Sequence, residues 1–187
     1  LCASNLPDIT IGPGQSTQSD DHFNTVLYTG DGASSNAITG VGFQPDWVWI
    51  KSRSAATIHN LFDAVRGTKL LQAQAADGQQ DNANYLTAYG ADGFTVGNSS
   101  NVNASSATFV AWNWKAGGTP TGDNSAANSA EPTAGSAKVD GSNQSGAFSG
   151  SPSIAIKRLS ANTTAGFSIV MWTGTGSAGT IPHALTE

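Results

Sequence analysis

Between residues 23 and 115, apolar side chains recur at every second position in short runs, each closed by Gly, Asp, Asn or Pro. A period of two puts successive side chains on opposite faces of a β-strand. The runs predict strands near 24–29, 37–42, 46–52, 59–63, 68–72, 84–89, 93–97 and 107–115. Turn signals fall between them at Gly30-Asp31-Gly32, Gln44-Pro45-Asp46, Arg66-Gly67, Ala76-Asp77-Gly78, Ala91-Asp92-Gly93 and residues 98–103. Short strands joined by such turns predict an all-β fold, an antiparallel β-sandwich or jelly roll. Val26, Tyr28, Val48, Ile50, Phe94, Val110 and Trp112 are its expected core. No segment carries a convincing helical period, although residues 70–76 would tolerate one helical turn or two.

The pattern then starts again. Residues 23–43 read FNTVLYTGDGASSNAITGVGF and residues 167–187 read FSIVMWTGTGSAGTIPHALTE. Phe23 aligns with Phe167, Val26 with Val170, Tyr28 with Trp172, and Thr29-Gly30 with Thr173-Gly174. Repetition at a long period marks modules in series. The second copy reaches Glu187 before any counterpart of the QPDWVWIKSR run, which predicts a partial second repeat.

Four segments follow. Residues 1–22 are broken by Pro7, Gly12, Pro13 and Gly14 and read as an extended anchor arm. Leu6, Ile9 and Ile11 give that arm a small alternating apolar face suited to a partner's sheet edge. Residues 23–115 are the sandwich module. Residues 116–150, rich in Gly, Ser, Ala and Asn with Val139 and Phe148 as the large apolar exceptions, read as a linker too polar to fold alone. Residues 151–187 begin the second module, with a strand at 153–159. Exposed Phe167, Met171 and Trp172 would leave a sticky edge. The segment is therefore expected to be covered by neighbouring chains of a homo-oligomer, a trimer first, or by further chain.

Composition narrows the class. Charged residues are 11% of the 187, against 38% hydrophobic residues and 22 glycines. Few charges and many small polar residues suit tight turns better than salt-bridged helices. A net charge of −5 disfavours nucleic acid as a partner, because phosphate binding needs clustered Lys and Arg. One cysteine, Cys2, leaves no internal disulfide and no Cys-rich zinc site. No apolar run approaches the ~18 residues of a membrane helix, so no membrane insertion is expected.

Two tryptophan pairs are the main candidates for chemistry. On the strand of Trp47 and Trp49, these two share one face, and Val48 and Ile50 the other. Val110, Trp112 and Trp114 share a face of their strand. Strands apolar on both faces are usually buried between layers, which makes the tryptophans core residues. Alternatively Trp47, Trp49, Trp112 and Trp114 form a carbohydrate-binding platform for the apolar faces of sugar rings. Asp63 and Arg66 are spaced for an ion pair across a turn, with His59 nearby, and a structural pair is the better reading. Asp31, Asp77, Asp81 and Asp92 fall in turns, without the ligand spacing of a calcium loop. No acid pair for glycoside hydrolysis, nucleophile elbow or P-loop is readable, and no catalytic residue, metal or cofactor is expected.

Taken in order, five motifs resemble a repeat found in tail-fibre and other virion proteins of marine bacteriophages, including those of cyanobacteria. They are Phe23…Tyr28-Thr29-Gly30-Asp31-Gly32, the run from Gly42 to Lys51, Leu61-Phe62-Asp63-Ala64-Val65-Arg66-Gly67, Asp92-Gly93-Phe94-Thr95-Val96-Gly97, and the run from Phe109 to Gly117. Asn5-Leu6-Pro7-Asp8 and the joint at 165–170 fit the same family. The resemblance implies a concanavalin-like sandwich on a virion surface. The partners would be other virion proteins and a host surface glycan, and the family supplies no catalytic residues. A non-enzymatic fibre or attachment protein is the function expected. The alternative is a sandwich module of a secreted carbohydrate-active enzyme.

Overall fold

The computed structural model describes residues 16–125, 131–144 and 146–185. Its strands are β1 (Phe23–Thr29), β2 (Asn36–Thr39), β3 (Trp47–Ser52), β4 (Asn60–Asp63), β5 (Gly67–Gln72), β6 (Leu86–Gly90), β7 (Gly93–Val96), β8 (Thr108–Trp114), β9 (Ala137–Val139), β10 (Ser142–Asn143), β11 (Ile156–Asn162) and β12 (Phe167–Trp172). One helical turn, α1 (Ser100–Asn103), interrupts them, capped by the Ser99 hydroxyl accepting from Asn101 N. The segment considered for a helical turn is strand through Gln72.

The first module is an antiparallel β-sandwich. A five-stranded sheet, in the order β1-β8-β3-β4-β5, packs on a three-stranded sheet, β2-β7-β6. Val48, Ile50, Phe62, Phe109 and Ala111 from the larger sheet meet Ile38, Leu86, Phe94 and Val96 from the smaller one. Burying side chains of this size against each other is worth roughly 1.5–3 kcal/mol apiece before entropy. Tight turns close the layers. At Gly93 a Cβ would overlap the Ile38 carbonyl oxygen, so only glycine fits there.

Two of the expected core residues face the other way. Val110 and Trp112 lie on the outer side of the large sheet, and Phe109, Ala111 and Asn113 face the core. β8 is apolar on both faces, so periodicity leaves its phase open. Register with β3 decides it, setting Asn113 opposite the core residue Val48 and Trp112 opposite Trp49. Asn113 is tolerated inside because its Nδ2 donates to the carbonyls of Asn24 and Ala111, each at 3.1 Å. Val26 and Tyr28 pack against the core partly buried, and the Tyr28 hydroxyl donates to Val102 O at 2.7 Å.

The described parts of 116–150 do not behave as a free linker. Ala116 and Gly117 are buried, and β9 and β10 join a four-stranded sheet, β10-β9-β11-β12, in which β9 runs parallel to β11. Backbone approach replaces large side chains here. A Cβ on Gly117 would overlap Lys138 O and lie 2.6 Å from Ala161 O. Asn124, also buried, donates from its backbone to Lys157 O at 2.9 Å and from Nδ2 to Ile156 O at 3.0 Å.

One face of this four-stranded sheet packs on the first module. Ile169 is buried with Val65 and Ala116, and Phe167 and Met171 pack partly buried beside Trp47. Trp172 alone of that strand stays largely open, at 48% exposure. Leu6, Ile9 and Ile11 of the anchor arm lie outside the described residues.

Candidate functional site

All four module tryptophans stand on the outer face of the five-stranded sheet, in two cross-strand pairs. Trp47 is opposite Trp114, and Trp49 is opposite Trp112. The face follows from β3 and β8 running antiparallel in that register, with the core taking the alternate residues. All four are partly buried, so they neither fill the sandwich core nor stand free of it.

The two pairs have different neighbours. Phe23 of β1 tilts against Trp114 at 4.8 Å between ring centres. Phe167 of β12 meets Trp47 edge-on at 6.5 Å and stacks over Trp114 at 6.3 Å. That half of the face is the joint between the two sheets. In the other half Trp49 and Trp112 meet edge to face at 5.4 Å. Trp49 Nε1 donates to His59 Nδ1 at 3.1 Å, which orients both rings. Beside them Leu27 is 60% exposed. This half offers ring surface with a polar rim of His59 and Lys51, an arrangement able to stack on a sugar ring.

His59 and Asp63 are engaged by different partners. His59 is held by Trp49, whereas Asp63 is nearly buried. Asp63 accepts from Arg66 Nε at 2.6 Å and Arg66 N at 2.8 Å. The pair stiffens the turn between β4 and β5 and is less exposed than an ordinary surface ion pair. The acidic turn residues act on backbone. Asp92 accepts from Gly42 N at 2.6 Å and Gly40 N at 3.0 Å, which holds its carboxyl below the usual range. Asp31 is lowered by Ala33 N and the Asn103 amide. Asp81 pairs with Lys69. Among the described residues, no group of three or more His, Cys, Asp and Glu side chains is placed to share a metal ion.

The sequence reading placed Asp46 at the turn that opens a strand and within a motif, and gave it no role of its own. Its side chain is 1% exposed and sits at the joint. Oδ2 accepts from Ala116 N at 2.7 Å and Gly118 N at 3.0 Å, and Gln44 Nε2 reaches Oδ1 at 3.2 Å. Burial pushes its carboxyl up, and the amide donors oppose that shift. Nothing in a single sequence distinguishes it from any Asp after Pro. His22, Lys115, Asp140 and Asn162 share its cleft between the sheets. Asp140 is bound to Thr163 N and Oγ1, and Asn162 Nδ2 lies 2.8 Å from His22 Nδ1. Asp46 is thus engaged at the joint, and Asp140 ties the end of β9 to the end of β11 within the four-stranded sheet.

Comparison with protein families gives a profile described as a domain of unknown function, DUF7483, which matches residues 18–157 and again residues 142–187. The chain belongs to that family. The second match contains the repeated segment 167–187, and the first runs well past residue 115. No curated protein and no solved structure matches the chain.

Proposed function

We propose that this member of the DUF7483 family is a non-enzymatic structural protein of a bacteriophage virion, a tail-fibre or head-fibre component that contributes to host attachment. One observation carries the reading. A sandwich unit is followed by the start of a second unit that docks on it through Phe167, Trp47 and Trp114. Units stacked in series build length, which a fibre needs and a compact enzyme does not. The five sequence motifs supply the link to phage virions. Its partners are other virion proteins, and Trp49 and Trp112 are the contact for a host surface glycan.

Antibody raised against the chain and applied to purified particles tests this by gold labelling in electron microscopy. Label on fibres is expected. Particles free of label, with the protein found only in the lysate, would overturn it. A second reading, a carbohydrate-binding module of a secreted carbohydrate-active enzyme, draws on the Trp49–Trp112–His59 arrangement. It predicts the protein in culture fluid, joined to a catalytic domain.

A further inference from the structure

The repeat puts two equivalent strands in unequal surroundings. β1 and β12 align residue for residue, and each is an edge strand, β1 beside β8 and β12 beside β11. They are bonded through opposite edges. Lys115 N donates to His22 O and Gly30 N to Ala107 O, both at 2.8 Å, so the even-numbered residues of β1 bond to β8. In β11, Leu159 N donates to Ser136 O at 3.0 Å and Ala161 O accepts from Asp140 N at 2.9 Å. Its odd-numbered residues therefore face β9, and Ser160 and Asn162 face β12. Their partners are Ile169 and Phe167. Ser168 and Val170 consequently turn their N–H and C=O groups to the edge of β12 that no strand among the described residues occupies. The counterparts of these two, Asn24 and Val26, are residues that bond to β8.

Side chains carry the same message. Val170 packs toward the cluster of Phe148, Ile156 and Leu159, as Val26 packs toward the sandwich core. Tyr28 stacks on Phe109 of β8 at 5.1 Å and 15°, whereas its counterpart Trp172 is 48% exposed. Asn24 O accepts from the Asn113 amide of β8 at 3.1 Å. Separately, the buried Ser168 hydroxyl has no hydrogen-bond partner among the described residues. The ring that β8 lays on Tyr28 thus has no equivalent at Trp172 among the described residues.

We propose that the open edge of β12 receives an antiparallel strand of the β8 type from a second module. Its phenylalanine pairs with Trp172, its alanine with Val170 and its asparagine with Ser168. The register is that of Tyr28 with Phe109, Val26 with Ala111 and Asn24 with Asn113. The inference rests on the repeat and its bonding pattern and is independent of the virion reading. The partner is thus another copy of the same kind of unit, joined by completing a sheet.

The test adds the synthetic peptide of residues 106–116 to the full chain and follows amide exchange by NMR. Saturating peptide should slow exchange at Ser168 and Val170 at least about tenfold, with Phe167 and Ile169, already bonded to β11, unchanged. The same peptide carrying Ala111→Pro lacks the N–H that faces β12 and should protect nothing. Three results would overturn the proposal: no protection at millimolar peptide, equal protection by the proline peptide, or protection at Phe23 and Thr25 on the open edge of β1.

Discussion

Replacing Phe167 by alanine probes the joint between the two sheets. Phe→Ala at a fully buried site costs about 3–5 kcal/mol. Phe167 is only partly buried, which roughly halves that figure, and loss of its ring contacts with Trp47 and Trp114 adds a fraction more. We expect ~2 kcal/mol, a roughly 30-fold rise in the opening constant of the joint. The loss should be local. Phe167 touches the outer face of the first sandwich, and its core of Val48, Ile50, Phe62 and Phe109 lies on the other side of the sheet. Hydrogen exchange read by mass spectrometry should therefore speed up roughly 30-fold in peptides covering 156–172 and stay unchanged in those covering 47–52 and 108–114. Equal acceleration in both regions would show that the sheets unfold as one unit. No acceleration would show that Phe167 does not hold the joint. Either result would refute the reasoning.

Asp46→Ala leaves the amides of Ala116 and Gly118 without their acceptor and should cost about 2–4 kcal/mol by denaturant unfolding, more than Asp46→Asn, which keeps one oxygen. Because burial raises the folded pKa of Asp46, its favourable contribution is fully present below the unfolded value of about 4 and is lost as pH rises through the folded value. The stability of the native protein relative to Asp46→Asn should thus fall with rising pH, and a flat difference rejects this. Asp92 has the opposite sign: its contribution is present above about pH 4 and is lost as pH falls through its lowered folded value. The Gly42 amide proton should titrate with a midpoint below the usual carboxylate range, and a midpoint at or above it counts against the bond. Gly117→Val should release the second sheet while the first sandwich keeps its circular dichroism, because the new side chain collides with the carbonyls of Lys138 and Ala161. Unchanged exchange at 137–162 in that variant would contradict the packing described.

Much of the sandwich was legible because its strands alternate cleanly. In β3, Val48 and Ile50 are buried and Trp47 and Trp49 are not, as the antiparallel pattern of a covered sheet requires. The phase of β8 was not legible. Val110, Trp112 and Trp114 look more hydrophobic than Phe109, Ala111 and Asn113, yet the second set is inside. Pairing across strands, which no single run records, makes that choice. The second sheet was hidden for another reason. Residues such as Gly117, Ser136 and Ala137 contribute little transferable surface and are buried by backbone hydrogen bonding and close approach. The tryptophan site was half legible: the four residues share one face, but division of that face by Phe167 depends on a contact between segments more than fifty residues apart.

A 35-residue flexible tether would let its ends wander over about 30–35 Å. The path out of β8 allows no such freedom at its start. Gly117 is wedged between two carbonyls and its N–H is bonded to Ser160 Oγ at 2.9 Å, three residues after the last residue of β8. Asn162 Nδ2 ties back to Lys115 O at 3.3 Å. A string of such units would transmit bending and torque from one to the next, as a rod does and a beaded chain does not. Its orientation at the far end would be set by the geometry of this one joint, repeated.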